Sequence, residues 1–159
     1  MNMFRTAVTL IASCAAMAAR VALANPEDSG FWQAQTSVYT RHFSRDPEHN
    51  NQQRLIGLER HEESGWLYGG ATFRNSFDQQ SVYAYAGKRF ESDDHPYYAK
   101  LSAGLIYGYK GKYRDKIPLN HYGVAPALIP GIGISIKPMT LELVLLGTSA
   151  TMVNVGLRF

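Results

Sequence analysis

The sequence predicts an all-β fold, an eight-stranded antiparallel transmembrane β-barrel. Three observations support this prediction. Apolar and polar residues alternate along eight segments, an apolar stretch typical of export signals stands near the N terminus, and the chain ends on Phe159 within an alternating segment. Alternation with a period of two gives a strand one apolar and one polar face. An even number of such strands suits a closed antiparallel barrel.

The N-terminal segment predicts export. Residues 1–24 carry a basic start, an apolar run from Thr6 to Ala19, and the small-residue pattern of residues 22–24 at which a signal peptidase would cut. The apolar run is shorter than the ~20 residues of a membrane-spanning helix. An alternative cut of lipoprotein type precedes Cys14. We expect cleavage after Ala24, which leaves residues 25–159 as the barrel domain.

Composition limits the classes of protein that remain. The 159 residues are 45% apolar and 12% aromatic, which fits one ordered domain and argues against disorder. The only cysteine lies in the predicted signal, so a disulfide framework is excluded. Loss of the signal removes two arginines and lowers the formal charge from +3 to +1. Export and near neutrality make nucleic acid an unsuitable partner.

The strand prediction follows the alternation along the chain. One clear example runs from Tyr97 to Tyr107, where Ala99, Leu101, Ala103 and Leu105 face one side. The eight predicted strands cover residues 31–43, 54–60, 66–74, 81–90, 97–109, 125–136, 139–147 and 151–159.

Three features favour lipid over water outside this barrel. The polar faces combine Gly and Ser with larger polar residues, as expected of a filled polar lumen. The row from Tyr97 to Tyr107 spans roughly 23 Å at a ~45° tilt, close to the ~25 Å apolar band between aromatic girdles. Phe159 resembles the C-terminal signal that the outer-membrane assembly machinery reads. We therefore expect a monomer in the bacterial outer membrane.

The loops then divide between two sides. With both termini in the periplasm, the turns at 61–65, 91–96 and 137–138 are periplasmic, whereas 44–53, 75–80, 110–124 and 148–150 face outward. Eight strands leave a lumen that side chains fill, so a diffusive pore is excluded. Function is expected at the outer rim.

Several motifs resemble one family in order and spacing. They are Leu67-Tyr68-Gly69-Gly70-Ala71-Thr72-Phe73 followed by Asn75-Ser76-Phe77, then Ile117-Pro118-Leu119, Leu128-Ile129-Pro130 and Lys137-Pro138-Met139-Thr140. Together they resemble the PagP family of lipid A acyltransferases over residues 38–159. The resemblance implies an outer-membrane enzyme that moves a palmitoyl chain from the sn-1 position of a phospholipid to lipid A, with no metal or organic cofactor.

The family's essential residues are a His, an Asp and a Ser at the outer rim. Ser76 matches the serine, but Asn75 stands at the aspartate position, and Asp78 is a possible substitute on the same loop. Thr40 aligns with the histidine, so the catalytic candidates are His42, two residues along the same strand face, and His49.

Substrate-binding candidates follow from the same comparison and from charge. Gly87 stands where the family has a lumen-facing glycine that sets acyl-chain length. Arg41 and Arg74 stand among the rim cations that could bind lipid A phosphates through charge-assisted hydrogen bonds, and the alternative is a solvated loop surface.

The chemistry of ester exchange matches these residue types. It needs a base such as histidine, whose ordinary pKa is ~6.5, and donors that stabilise the tetrahedral oxyanion. No G-x-S-x-G elbow surrounds Ser76, so positioning or oxyanion stabilisation is favoured over nucleophilic attack. His61 and His95 are expected to be solvated turn residues, while His121 in a long outer loop stays open. No metal site is predicted. The alternative function is a small non-enzymatic barrel for envelope integrity or surface binding.

Overall fold

The computed structural model describes residues 30–43, 54–120 and 122–159, and these form the barrel that the alternation predicts. The strands are β1 (Phe31–His42), β2 (Ile56–His61), β3 (Trp66–Arg74), β4 (Gln80–Glu91), β5 (Tyr97–Tyr107), β6 (Val124–Ile136), β7 (Met139–Leu146) and β8 (Ala150–Arg158). Each strand lies within two residues of its predicted bounds.

Antiparallel pairing of each strand with the next, and of β1 with β8, closes the barrel. The closing pair runs from Gln33 opposite Arg158 to His42 opposite Ala150, with one bulge near Ser37 and Tyr39. The barrel has two ends, the terminal end and the loop end. The terminal end carries Gly30 and Phe159, and the loop end carries His42 and the connections after β3, β5 and β7.

Short strand β2 leaves a step in the wall at the loop end. It pairs with β1 only from Phe31 to Thr36, although β1 continues to His42. Among the described residues, no strand lies between the loop-end half of β1 and the connection that follows β3.

The alternation places large apolar side chains on the outside. Leu101, Leu105, Leu143 and Leu145 are each at least 40% exposed, whereas Glu59, Lys100 and Glu142 are buried in the lumen. This arrangement is the reverse of a water-soluble globular protein, in which apolar side chains fill the interior. Trp66, Phe90 and Tyr97 lie exposed near the terminal end, as interfacial aromatic residues do in membrane barrels.

A short 3₁₀ helix (Gly111–Lys116) lies in the connection after β5. Among the described residues, no helix is long and apolar enough to cross a membrane. The predicted signal, the alternative cut at Cys14, the loop 44–53 with His49, and His121 lie outside the described residues.

Candidate functional site

The loop-end half of the lumen holds a cavity of about 650 Å³. Its walls are mainly apolar, and they include Phe73, Ile106, Ile129, Val144 and Met152. This differs from the tightly filled polar lumen that the sequence predicts. The cavity stays open and apolar because the polar side chains are concentrated nearer the terminal end. Its volume is within the range of sites that bind small molecules.

A buried ionic layer closes the cavity on the side of the terminal end. The Nζ atom of Lys100 lies 2.9 Å from Oε1 of Glu59 and 2.7 Å from Oε1 of Glu142. All three side chains are at most 6% exposed. Charges this deeply buried need close partners, because their desolvation is costly.

Hydrogen bonds from neighbouring side chains complete this ionic layer. Tyr85 donates to Oε1 of Glu59 at 2.7 Å, and Gln35 donates to the same oxygen at 3.0 Å. Tyr98 donates to Oε2 of Glu142 at 3.0 Å. The side chains of this layer come from five strands, β1, β2, β4, β5 and β7, so the layer gives the cavity a fixed floor and obstructs the lumen.

At the mouth of the cavity, Nε2 of His42 lies 2.8 Å from Oγ of Ser76. Both residues line the cavity and both are half-buried. His42 is the last residue of β1, and Ser76 lies in the connection after β3, which reaches over the step left by β2. The structure therefore brings together two of the candidates that the sequence singled out.

Asn75, at the position of the family aspartate, has a structural role. Its side chain is fully buried, and its Oδ1 accepts hydrogen bonds from the backbone N–H groups of Phe77 at 2.9 Å and Gln79 at 3.0 Å. Its Nδ2 donates to Oγ of Ser81 at 3.1 Å. This is an Asx-type turn, in which an Asn side chain satisfies the backbone ahead of it. The turn holds Ser76 in place over the cavity.

Tyr109, which the sequence analysis did not single out, is also part of this site. It lines the cavity and is hydrogen-bonded to both the side chain and the backbone of Ser76. Burial raises the pKa of the Tyr109 phenol, and the backbone N–H of Ser76, which donates to the phenol oxygen, partly offsets that rise. A tyrosine carries no sequence signal for such a role when it stands outside a motif.

Contacts between the two outer connections fix the position of Tyr109. Its ring meets Phe77 edge-on with centroids 6.3 Å apart. Nε2 of Gln79 donates to the backbone carbonyl of Lys110 at 3.3 Å, and Oε1 of Gln79 accepts from the backbone N–H of Lys110 at 3.1 Å. These contacts tie the connection after β5 to the connection that carries Ser76.

One arrangement of protons satisfies the three side chains together. The backbone N–H of Ser76 donates to the Tyr109 oxygen, the Tyr109 hydroxyl donates to Oγ of Ser76, and the Ser76 hydroxyl donates to Nε2 of His42. Hydroxyl and imidazole protons are assigned from such networks. In this arrangement His42 is the proton acceptor at the end of a hydrogen-bonded chain. A serine hydroxyl directed at an imidazole is also the geometry of an activated nucleophile.

The charged candidate residues lie at the rim, outside the hydrogen-bonded row of Tyr109, Ser76 and His42. Arg74 and Asp78 form an exposed ion pair, with Nη1 3.2 Å from Oδ2. The Asp78 backbone takes a positive φ of 59°, which a short polar side chain tolerates. The carboxylate of Asp78 is thus directed to Arg74, and Arg41 is exposed one residue before His42.

Two further positions come from the family resemblance. Gly87 does not line the cavity, because it lies beyond Tyr85 towards the terminal end. A Cβ added there would clash with the Leu101 carbonyl oxygen. Thr40, at the aligned histidine position, is buried on the same face as His42.

The prediction that His61 is a solvated turn residue is wrong. His61 ends β2 inside the barrel at 2% exposure, with Nε2 2.8 Å from Oε2 of Glu59. Its ring stacks on Phe31 with centroids 4.4 Å apart. The turn after β2 begins one residue later than expected, which draws His61 into the lumen. His95 is exposed in the turn before β5, as predicted.

The cavity also reaches the wall between β6 and β7. These strands pair only from Gly131 to Ile136, so residues 124–130 of β6 bond to β5 alone. Side chains from both faces of this segment line the cavity: Pro126, Ala127, Leu128 and Ile129. Pro126 has no N–H to donate to a neighbouring strand. The wall is therefore incomplete beside the cavity.

Across the described ranges, no group of three His, Cys, Asp or Glu side chains is arranged to hold a metal ion. The candidate site is instead built from an imidazole, a hydroxyl and a phenol.

Comparison with known proteins supports the class of protein that this fold defines. No family model matches the chain, and no curated protein matches it. A designed transmembrane β-barrel matches 81% of this chain and 95% of its own, with a TM-score of 0.57 and 9% identity. The outer-membrane protein Ail of Yersinia pestis covers 82% of this chain and 100% of its own, with a TM-score of 0.45 and 16% identity. The chain therefore has the fold of an eight-stranded antiparallel transmembrane β-barrel.

Proposed function

We propose that this protein is an outer-membrane acyltransferase that moves an acyl chain from the sn-1 position of a phospholipid to lipid A. The observation that carries the proposal is the contact of His42 with Ser76 at the mouth of an apolar cavity. An ordinary turn would place a serine at the rim but would require neither the imidazole nor the cavity.

In the proposed reaction His42 is the general base. It takes the proton of the attacking hydroxyl as that oxygen bonds to the ester carbonyl carbon, and it returns the proton to the departing glycerol oxygen. Ser76 and Tyr109 stand beside it as hydroxyl donors for the oxyanion that forms between these steps. Ester exchange of this kind conserves protons and electrons.

The cavity provides a place for the transferred acyl chain. Its apolar walls favour a hydrocarbon chain, since burying apolar surface away from water stabilises the complex. The incomplete wall between β6 and β7 lies beside the cavity and faces the lipid, so a chain could enter from the membrane without crossing water.

The charged rim suits a phosphorylated acceptor. Arg41 and Arg74 are exposed near the mouth of the cavity, and guanidinium groups pair with phosphate in a bidentate geometry. In this proposal Asp78 positions Arg74 through their ion pair.

The proposal also includes location and assembly. The chain would sit in the bacterial outer membrane as a monomer, with the loop end outward and lipid A and phospholipid as its partners. Phe159 is 69% exposed and its backbone pairs with Trp32 at the closing seam. In this proposal it is the C-terminal residue that the assembly machinery recognises.

Mass spectrometry of lipid A tests the proposed activity. Cells that lack this chain are compared with cells expressing the wild type, the Ser76→Ala and His42→Ala variants, and a His95→Ala control at the opposite end. We expect one additional acyl group on lipid A with the wild type and the control, and none with the two site variants. Heat-modified migration in gels confirms that each barrel is folded. Unchanged lipid A with well-folded wild type would instead support a non-enzymatic barrel.

A further inference from the structure

A second cavity, of about 420 Å³, opens at the terminal end, on the other side of the ionic layer from the candidate active site. Two arginines, Arg89 of β4 and Arg158 of β8, line it together with Phe31. The acyltransferase proposal makes no use of these side chains.

Arg89 is buried without aligned hydrogen bonds. It is only 5% exposed, and its guanidinium stacks on the Tyr98 ring, 3.5 Å from the centroid. Its Nε lies 2.8 Å from Oε1 of Glu91, yet none of its three nitrogens forms a hydrogen bond with another described residue. Buried donors of this kind normally have a partner, which here would be water or a bound ion.

Arg158 brings a second guanidinium to the same place. It stacks on Phe31 at 3.5 Å and donates through Nη1 to Oγ of Ser135 at 2.9 Å. The same Nη1 lies 3.9 Å from Oε1 of Glu91. Arg89 and Arg158 therefore share a single carboxylate, which leaves one positive charge between them without a matching negative charge.

The other charged groups of the cavity do not remove this excess. Lys88, Glu62 and Glu63 also line it, and Glu62 lies 3.6 Å from Arg60, a cation outside the lining. With Glu62 assigned to Arg60, the three lining cations Lys88, Arg89 and Arg158 are matched by only two lining carboxylates, those of Glu63 and Glu91.

We propose that this cavity binds a phosphate-type oxyanion between Arg89 and Arg158. Stacking on Tyr98 and Phe31 covers one face of each guanidinium, so a ligand would approach in the guanidinium planes. It would meet the three Arg89 nitrogens that lack a hydrogen bond with the described residues, and the edge of Arg158 away from Nη1, which already donates to Ser135. Those edges match two oxygens of a tetrahedral anion in a bidentate manner. The phosphate could be free or could belong to a lipid headgroup at the membrane surface of this end, and both sources present the same oxygens.

Arginine side-chain NMR distinguishes a bound oxyanion from bound water. The full chain is folded in a phosphate-free maltoside detergent, and the Nε–H signals are followed while inorganic phosphate is added. We expect a saturable shift of the Arg89 signal. Arg89→Gln should weaken phosphate binding at least tenfold, as measured from the Arg158 signal, whereas Lys137→Gln in the exposed β6–β7 turn should leave it unchanged. Arg89→Lys keeps the positive charge but loses the paired N–H donors of the guanidinium. It provides a second variant if Arg89→Gln does not fold.

A parallel titration uses phosphatidylglycerol in the same micelles without inorganic phosphate. A shift with the lipid but not with the free ion identifies a headgroup site, and a shift with the free ion alone identifies a soluble anion site. The proposal is overturned if neither probe shifts Arg89, or if Arg89→Gln and Arg89→Lys bind as well as the wild type. Neither readout depends on acyl transfer, so the proposed enzymatic function can fail or hold separately.

Discussion

The imidazole of His42 and the hydroxyl of Ser76 lie 2.8 Å apart although 34 positions separate them in the chain. They meet because β2 is too short to stand between the end of β1 and the connection after β3. A base and a hydroxyl in direct contact above an apolar cavity form the part of this barrel best suited to chemistry.

Removing either member of this pair should abolish most of the acyl transfer. General-base catalysis contributes ~10²–10⁴-fold, and one oxyanion donor contributes ~10²–10³-fold. His42→Gln and Ser76→Ala should therefore lower kcat/KM by about the first and the second of these factors. Because the two groups act together, the double variant should lose little more than the more impaired single one. Purified enzyme with radiolabelled phospholipid measures this. Fully additive losses would show that the two residues work independently.

Tyr109→Phe should lower kcat about 10²-fold, since one hydrogen-bond donor to the reacting oxygens is lost. The KM for the phospholipid substrate should change little. The barrel should remain folded because the ring contact with Phe77 is kept. Tyr122→Phe, which removes the hydroxyl of a 94% exposed tyrosine in the same connection, is the matched control.

A spectroscopic titration checks the environment of Tyr109 directly. Its pKa is raised by burial, so Tyr109→Phe should lower by one the number of tyrosines whose absorbance shows ionisation above the ordinary value of ~10. Loss of a tyrosine with an ordinary pKa would contradict the buried position.

The cavity wall, rather than Gly87, should determine the length of the transferred chain. Ala127→Leu adds bulk to the cavity and should shift the products towards shorter acyl chains. Gly87→Ala should instead destabilise the barrel with no change in chain length, because its Cβ would meet the Leu101 carbonyl. Mass spectra of lipid A from both variants, at matched levels of folded protein, compare the two positions. A shorter product from Gly87→Ala would restore the role that the family resemblance gives it.

The ionic layer should be sensitive to the loss of its cation. Lys100→Met leaves Glu59 and Glu142 buried without their partner, and such a loss costs about 3–5 kcal/mol. Adding Glu59→Gln and Glu142→Gln should recover much of the free energy of unfolding, since no unpaired charge then remains. Urea unfolding in detergent measures all three forms. A stable Lys100→Met single variant would mean that the layer takes up water.

Local periodicity was enough to predict the strands, because each strand of a barrel repeats every two residues whatever its neighbours are. The same reasoning failed where position depends on a boundary. His61 was expected in a solvated turn, yet a shift of one residue at the end of β2 places it beside Glu59 in the lumen. The family resemblance supplied Ser76 and its loop, and the strand face supplied His42.

The sequence by itself determined the number of strands, their alternation and the residue types at the outer rim, because these follow from local spacing. Only the tertiary structure decided that His42 contacts Ser76, that Tyr109 joins them, and that the polar side chains gather in one layer with an apolar cavity above it. Those relationships depend on register and on strand lengths around the closed barrel, which bring distant positions together and leave no trace in the local pattern.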